Sequence, residues 1–182
     1  MSSTDPRTQL TAVREVHAAE SALLPGLCAL LEDAVHGGAS VGFLSPLARA
    51  TAERYWSGVF DALGERLRLW IAEENSAVVG TVQLAPCTKE NGRHRAELQK
   101  LLVHSGRRGR GIASRLMAAV EDVAAHSCIS LLVLDTLRNS AAEGVYVHLG
   151  WTRAGEIPRY AASPDGELHT TVYYYKLLAP GP

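Results

Sequence analysis

Hydrophobic positions in the first third of the chain form one strand pattern followed by two helical patterns. A strand is predicted over residues 8–16, and apolar residues three and four apart predict a helix over residues 20–35. His36-Gly37-Gly38 ends that helix, since glycine suits the backbone at a helix C-terminus. After Pro46, residues 47–63 predict a second helix.

The remaining two thirds of the chain predict six further strands and two further helices. The strands, with alternating or continuous apolar residues, are predicted over residues 67–71, 77–84, 95–103, 129–134, 151–157 and 168–178. The helices are predicted over residues 112–123 and 139–149. This order predicts an α/β (α+β) domain around one mixed sheet, and the lack of repeats or linkers predicts a single domain over residues 1–182.

The strand over residues 95–103 contains a change of phase. Ala96 and Leu98 lie on one face, whereas Leu101 and Val103 carry the apolar pattern at the opposite parity. Because one extra residue exchanges the two faces of a strand, we predict a β-bulge within residues 99–102.

Composition excludes several classes of protein. The 182 residues are 47% hydrophobic and 20% charged with a net charge of -1, which indicates a globular chain without a general field for nucleic acid or membrane. No segment approaches the roughly 18 apolar residues of a membrane helix, and the N-terminus lacks a signal-peptide core. The three cysteines are far apart, which favours a reducing cytoplasmic location and predicts neither disulfides nor a metal site.

A loop rich in glycine and arginine precedes the helix at Ile112. Exposed amides at a helix start bind phosphate, and glycine lets the backbone approach closely. Arg107, Arg108 and Arg110 add local positive charge. The loop matches neither GxxxxGK[ST] nor GxGxxG, since Ser114 replaces the last glycine, so a solvated loop that caps the helix remains an alternative.

Two segments of the second half resemble the GNAT superfamily of N-acetyltransferases. Arg108-Gly109-Arg110-Gly111-Ile112-Ala113 matches the signature [QR]-x-x-G-x-[GA], and residues 139–151 look like N-x-x-A-x-x-x-Y-x-x-x-G-[FW]. The resemblance implies a GNAT fold: a mixed, mostly antiparallel seven-stranded sheet with about four helices and a V-shaped split between the two central strands. It also implies acetyl-CoA as cosubstrate and no metal.

A resemblance over most of the chain is to the tabtoxin-resistance acetyltransferases. It rests on residues 36–43, 95–103 and 155–177 and on Leu134-Asp135-Thr136. This subgroup implies acetylation of a small amino-acid-like antibiotic or toxin. The basic segment Leu137-Arg138-Asn139 departs from the acidic one in that relative, which leaves the substrate open. The resemblance also implies that the chain can form a homodimer.

The resemblance places acetyl-CoA between the strand ending at Val103 and the strand ending at Leu134, with the Val103 amide or a neighbour on the thioester carbonyl. The residues implied for the donor are Leu101, Leu102, Val103, Arg107, Arg108, Gly109, Arg110, Gly111, Ile112, Ala113, Asn139 and Tyr146. The candidate substrate residues are His36, Ser40, Phe43, Glu97, Asp135 and Tyr160. Asn139 and His36 could equally be helix caps.

An amine acceptor must lose a proton before it attacks a thioester, because its pKa lies near ~10. Glu97 stands in an apolar strand, and Asp135 follows a buried one, at the end where ligands bind. Salt bridges of Glu97 with Arg95 or Lys100, or a turn or helix-cap role for Asp135, are alternatives. By family analogy Tyr146 protonates the leaving thiolate; otherwise it is a core aromatic.

Two other functions fit parts of the sequence. Gly38-Ala39-Ser40-Val41-Gly42 satisfies GxSxG, and Asp135 with His169 would complete a serine-hydrolase order. That motif needs a strand before the serine, however, and a helix is predicted there. A non-catalytic module that binds CoA or RNA is the second alternative; few aromatics (6%) and no broad basic face disfavour RNA.

Overall fold

The computed structural model describes residues 11–179. This range contains four α-helices, α1 Leu24–His36, α2 Arg49–Ala62, α3 Ile112–His126 and α4 Ala141–His148. It also contains seven strands, β1 Ala12–Val16, β2 Arg68–Glu74, β3 Ala77–Pro86, β4 Arg95–Val103, β5 Leu131–Leu137, β6 Thr152–Ala162 and β7 Leu168–Leu177. The predicted GNAT fold is confirmed.

All seven strands form one mixed sheet in the order β1-β2-β3-β4-β5-β7-β6. Every neighbouring pair is antiparallel except β4 and β5, which run parallel. The parallel step is made by the crossover through α3, the kind of long connection that a parallel pair requires.

Each face of the sheet covers its own hydrophobic core. On one face, Leu98 and Leu132 of the central strands pack with Ile112 and Leu116 of α3. On the other face, Leu69 and Ile71 of β2 and Leu102 of β4 pack with α1 and α2. Burial on both faces explains the apolar run of β2, because Leu69 and Ile71 enter one core and Trp70 and Ala72 enter the other. In β5, Leu132 and Leu134 enter the α3 core, whereas Leu131 and Val133 are only half-buried.

A β-bulge interrupts β4, as its change of phase predicts. Gln83 of β3 lies opposite Gln99, but Thr81, two residues earlier, lies opposite Leu102, so β4 contains one extra residue. Before the bulge, Leu98 packs on the α3 face; after it, Leu102 packs on the opposite face. Lys100 takes up the extra length with a φ of 50°, a left-handed conformation that costs a non-glycine residue energy.

A glycine of β3 lets the start of α3 pack closely on the sheet. A Cβ at Gly80 would lie 3.0 Å from Ile112 Cγ2, 3.1 Å from Leu116 Cδ1 and 3.1 Å from the carbonyl oxygen of Leu102. A larger side chain would therefore push α3 away from β4. This contact fixes the N-terminus of α3 beside the end of β4.

Several element boundaries differ from the predictions. The first strand begins at Ala12, and its predicted residues 8–10 lie outside the described residues. The first predicted helix opens with a 3₁₀ turn, Ser21–Leu23. β5 continues to Leu137 instead of ending at Leu134, because it pairs with β7 along its whole length. Asp135 is therefore a strand residue, and the turn or helix-cap alternative for it is wrong.

Candidate active site

A V-shaped gap separates β4 from β5. The two strands pair only at Arg95–Leu131, Ala96–Leu132 and Glu97–Val133. Beyond Glu97, β4 bends at its bulge and stays with β3, whereas β5 stays with β7. The backbone edges that face each other across the gap are left without a strand partner, so they can bind an extended ligand through main-chain groups.

The register of β3 and β4 points the backbone of Val103 into this gap. His104 N donates to Val79 O at 2.9 Å, and bonded pairs alternate with non-bonded pairs along an antiparallel ladder. Gly80–Val103 is thus a non-bonded pair, and the Val103 N–H points away from β3. Arg108 Nε reaches Val103 O at 3.3 Å from that same side. The side chains of Leu101 and Leu102 pack into the cores, which leaves only their backbone for a ligand.

The N-terminus of α3 lies next to the gap with open amides. Gly111 is its N-cap residue at φ 74°, a conformation that glycine adopts without strain, and no side chain caps the helix. The Ile112 side chain is buried, so Ile112 and Ala113 present their N–H groups rather than their side chains. Such an end attracts a diphosphate through its amides and the helix dipole.

Two carboxylates hold the loop between β4 and α3 in place. Asp33 of α1 accepts hydrogen bonds from Ser105 N at 2.8 Å and from Ser105 Oγ at 2.7 Å. Partial burial acts to raise the pKa of Asp33, but these hydrogen bonds and the positive charge of Arg108 lower it overall. Asp33 therefore stays ionised and keeps both bonds at neutral pH.

The second carboxylate is Glu74, which is 4% exposed. Its Oε2 lies 3.0 Å from Arg107 Nε, and its Oε1 accepts from Thr11 Oγ1 at 2.9 Å. Arg107 is thus engaged in positioning the loop, unlike the exposed Arg110. The arginine-rich motif suggests a phosphate contact for Arg107 and does not reveal this structural role.

Glu97 and Asp135 lie on the same face of the sheet, beside the gap. Their neighbours Ala96, Leu98 and Leu134 enter the α3 core, so alternation directs both acids to the α1–α2 face. Both side chains are accessible in the open gap, and the surrounding strands partly shield Asp135 from solvent. Arg95 donates to the Cys87 sulfur at 3.4 Å rather than to Glu97. We call Glu97 and Asp135 the acid pair.

The surroundings of Asp135 favour its protonated form. Partial burial and repulsion from Glu97 raise the pKa of Asp135, while Lys100 acts in the opposite direction. Tyr173 lies directly opposite Asp135 in β7, and its ring contacts that of Tyr160 at 5.8 Å. A carboxylate with a raised pKa is a stronger proton acceptor at neutral pH than an ordinary aspartate.

Lys100 also reaches the α1–α2 face of the gap, and the sequence reasoning missed it as a site residue. Its Nζ lies 5.6 Å from the ring centroid of Tyr55 in α2. Burial lowers the pKa of Lys100, whereas the charges of Asp135 and Glu97 act to raise it. The predicted bulge was the available signal, because a bulge redirects the side chain that it carries.

Tyr146 approaches the gap from the α3 face. It is 7% exposed and packs against Trp151 and Tyr174, at 6.0 Å and 6.1 Å between ring centroids. Burial and the negative charge of Asp135 raise the pKa of Tyr146, so its hydroxyl stays protonated. The phenol and the acid pair therefore belong to opposite faces of the sheet.

The connection between α1 and α2 lies over the end of the β6–β7 hairpin. Ser40 Oγ donates to Ala162 O at 3.4 Å, and Ser45 N donates to Pro164 O at 2.8 Å. Phe43 contacts the Tyr55 ring at 5.3 Å between centroids, on the side of the acid pair. Tyr160 extends from β6 and is 50% exposed.

His36 and Asn139, for which a helix cap was the alternative role, are not cap residues in the structure. His36 is the last residue of α1 and lines a surface pocket with Ser45 and Asp165. Asn139 precedes α4 in a left-handed conformation, with φ 61°, and its N–H donates to Glu143 Oε2 at 2.5 Å. Ser140, not Asn139, is the N-cap of α4.

The GxSxG match does not form a nucleophile elbow. The segment follows α1, and Ser40 lies in an irregular connection rather than between a strand and a helix. Residues 11–179 contain no group of three or more metal-binding side chains. None of the helices in this range has the length and hydropathy to cross a bilayer.

A split parallel pair with free amides, next to an uncapped glycine-led helix, is the arrangement that the resemblance to the GNAT superfamily implies for an acyl-CoA-dependent acyltransferase. The model of the Acetyltransferase (GNAT) family matches residues 27–151, and the chain belongs to that family. An uncharacterized N-acetyltransferase in the hisH-hisA intergenic region of Azospirillum brasilense is 36% identical over 114 residues, covering 62% of this chain and 67% of that protein. The chain is accordingly an acetyl-CoA-dependent N-acetyltransferase.

Two further comparisons bear on length and fold. Human N-acetyltransferase 8B is 34% identical over 110 residues, 59% of this chain but only 48% of the human protein. The chain thus matches about half of that relative. The solved structure of yncA from Salmonella typhimurium, which contains its cofactor acetyl-CoA, superposes with a TM-score of 0.75 at 16% identity, over 95% of this chain and 96% of that one.

Proposed function

We propose that the chain transfers the acetyl group of acetyl-CoA directly to the amine of a small molecule. The observation that carries this proposal is the placement of the acid pair and Tyr146 on opposite faces of one gap, into which the Val103 amide points. A proton can be taken from the amine on one face, and a hydrogen bond can be donated to the leaving thiolate from the other.

The donor would be held by main-chain groups. Amides from Arg108 to Ala113 would bind the diphosphate, with the positive charge of Arg108 and Arg110 nearby. The Val103 N–H would donate to the thioester carbonyl and to the oxyanion that forms on attack. One such donor typically contributes about 3 kcal/mol of transition-state stabilisation.

The acid pair would bind the acceptor as an ammonium and then accept its proton, directly or through water. The two carboxylates supply complementary charge, and the raised pKa of Asp135 makes it a stronger base than an ordinary aspartate. The unprotonated amine then attacks the carbonyl carbon, and the tetrahedral intermediate collapses with loss of the CoA thiolate.

Tyr146 would donate a hydrogen bond to the departing sulfur. Its raised pKa keeps the proton available but makes full transfer to a thiolate unfavourable, since an ordinary thiol has a pKa of about 8.5. The contribution of Tyr146 is therefore smaller than that of the oxyanion donor.

For the acceptor, we propose an amino-acid-like antibiotic or toxin, in line with the resemblance to the tabtoxin-resistance enzymes. Tyr160 contacts Tyr173, which lies opposite Asp135, and Phe43 contacts the Tyr55 ring on which Lys100 rests. These polar and aromatic groups suit a compact polar molecule.

The test is release of free CoA thiol across a panel of amines, with Glu97→Gln and Asp135→Asn as variants. We expect each variant to slow turnover at saturating substrate, to shift the acidic limb of the pH profile, and to keep the affinity for acetyl-CoA. Full activity of both variants would show that the acid pair takes no part in proton transfer.

A further inference from the structure

The acid pair shares its face of the gap with a single lysine that is held on a rigid platform. The Lys100 ammonium rests on the Tyr55 ring, and the Tyr55 hydroxyl donates to Gln83 Oε1 at 3.1 Å. Gln83 is 1% exposed, so this platform is anchored in the core. A Cβ at Gly42 would lie 3.9 Å from Lys100 Nζ, which places the ammonium under the α1–α2 connection.

The backbone directs Lys100 to this place at an energetic cost. Its φ of 50° is unusual for a lysine, and Thr81 Oγ1 donates to its carbonyl oxygen at 3.0 Å to hold the bulge. Backbone strain of this kind, roughly 1–3 kcal/mol, persists where the surrounding structure imposes it and is concentrated at functional sites.

The charge of Lys100 is close to the acid pair without being paired to it at contact distance. Asp135 and Glu97 both act on its titration, yet among residues 11–179 the ion pairs at 4.0 Å or less do not include Lys100. The ammonium is thus partly desolvated and retains hydrogen-bonding capacity. A carboxylate is the partner that such a group recognises best.

Accepting the proposed function, we infer that Lys100 forms a carboxylate subsite and that the acceptor is a zwitterion, an amino acid with a free carboxylate near its reacting amine. The acid pair binds the ammonium end and Lys100 binds the carboxylate end. Lys100 is then a specificity residue, because a simple amine would leave its charge unpaired in a partly desolvated site.

The alternative role for Lys100 is to neutralise the acid pair, which affects every amine equally. The test therefore compares matched acceptors with and without a carboxylate: lysine, serine and threonine against lysinamide, serinamide and threoninamide. Thiol release gives kcat/KM for both members of each pair. The ratio of kcat/KM for the carboxylic acid to kcat/KM for its amide is not affected by a change in the basicity of the acid pair, because both acceptors use the same base.

The variants are Lys100→Met, which keeps the length without charge, and Lys100→Arg, which keeps the charge. Lys89→Met, an exposed lysine between β3 and β4, is the control. We expect Lys100→Met to lower the acid-to-amide ratio by roughly tenfold to a hundredfold through KM, the range of a charged hydrogen bond. Lys100→Arg should retain most of the ratio, and Lys89→Met all of it.

The outcomes separate this inference from the proposed function. If Lys100→Met slows the acid and the amide of a pair equally, Lys100 is no carboxylate subsite, although the acetylation of small amines stands. If the wild type acetylates neither member of any pair, an amino-acid-like acceptor is wrong, and so is the carboxylate subsite at Lys100. Binding of acetyl-CoA to Lys100→Met should be unchanged, and a loss of that binding would also overturn the subsite.

Discussion

Removing the hydrogen bonds between Asp33 and Ser105 would measure how strongly the loop between β4 and α3 is preorganised for acetyl-CoA. Asp33→Asn removes the charge and keeps only one oxygen to accept the two donors that the carboxylate binds at 2.8 and 2.7 Å. A hydrogen bond to a charged group contributes about 1.5–3 kcal/mol, and the exposure of Ser105 reduces this to about 1–2 kcal/mol here.

This energy should appear in the affinity for the donor. If the ordered loop is the form that binds acetyl-CoA, a loss of about 1–2 kcal/mol in its stability weakens binding by at most five- to thirtyfold. Calorimetric titration of acetyl-CoA measures the change. Turnover at saturating acetyl-CoA should stay within about twofold, because Asp33 contacts the loop and not the acid pair.

The control is Asp122→Asn, which removes an acid of α3 whose side chain is 74% exposed. It should leave the dissociation constant of acetyl-CoA unchanged. Asp33 has a lowered pKa, so the stability that it contributes is present above the ordinary aspartate pKa and is lost as the pH falls through its own lower value. An unchanged dissociation constant in Asp33→Asn would refute the idea that this contact orders the binding loop.

Three further predictions concern the donor site and the two faces of the gap. Arg108→Glu combined with Gly111→Glu should abolish acetyl-CoA binding in the same titration, and retained affinity would exclude the loop as the diphosphate site. Asp135→Asn should slow turnover but raise the melting temperature slightly at pH 7. Because the fold raises the pKa of Asp135, this residue favours the native state at low pH and disfavours it as the pH rises through that pKa. A lowered melting temperature in this variant would contradict that sign. Tyr146→Phe should lower kcat roughly tenfold or more with an unchanged dissociation constant of acetyl-CoA, and full activity would make Tyr146 a packing residue.

The sequence predicted the central strands well, because each of them carries its burial pattern locally. The change of parity between Leu98 and Leu101 is sufficient to locate the bulge, since both core faces constrain the side chains. The end of β5 was set too early because Asp135 and Thr136 are polar. Their place in the strand depends on pairing with Tyr173 and Val172 of a distant segment, which no local pattern contains.

The candidate site was predictable where it is made of backbone and less so where it is made of distant side chains. The glycine at position 111 marks the helix start by its own conformational freedom. The tasks of Arg107 and Lys100 depend on partners far along the chain, Glu74 and Tyr55 respectively. Those partners come close only through the sheet order and the packing of α2. Residue type alone therefore suggested a phosphate contact for Arg107 and only a salt bridge with Glu97 for Lys100.

Only three residue pairs between β4 and β5 join the four-stranded half of the sheet, β1 to β4, to its three-stranded half, β5, β7 and β6. A junction this short resists shear weakly, although side chains from both halves share the α3 core. A pantetheine arm lying between the two strand edges would act like an eighth strand and connect β4 to β5 through hydrogen bonds. Amide hydrogen exchange at the start of β4 and along β5 should consequently slow far more on coenzyme addition than exchange in β2, which already has a strand partner on each side.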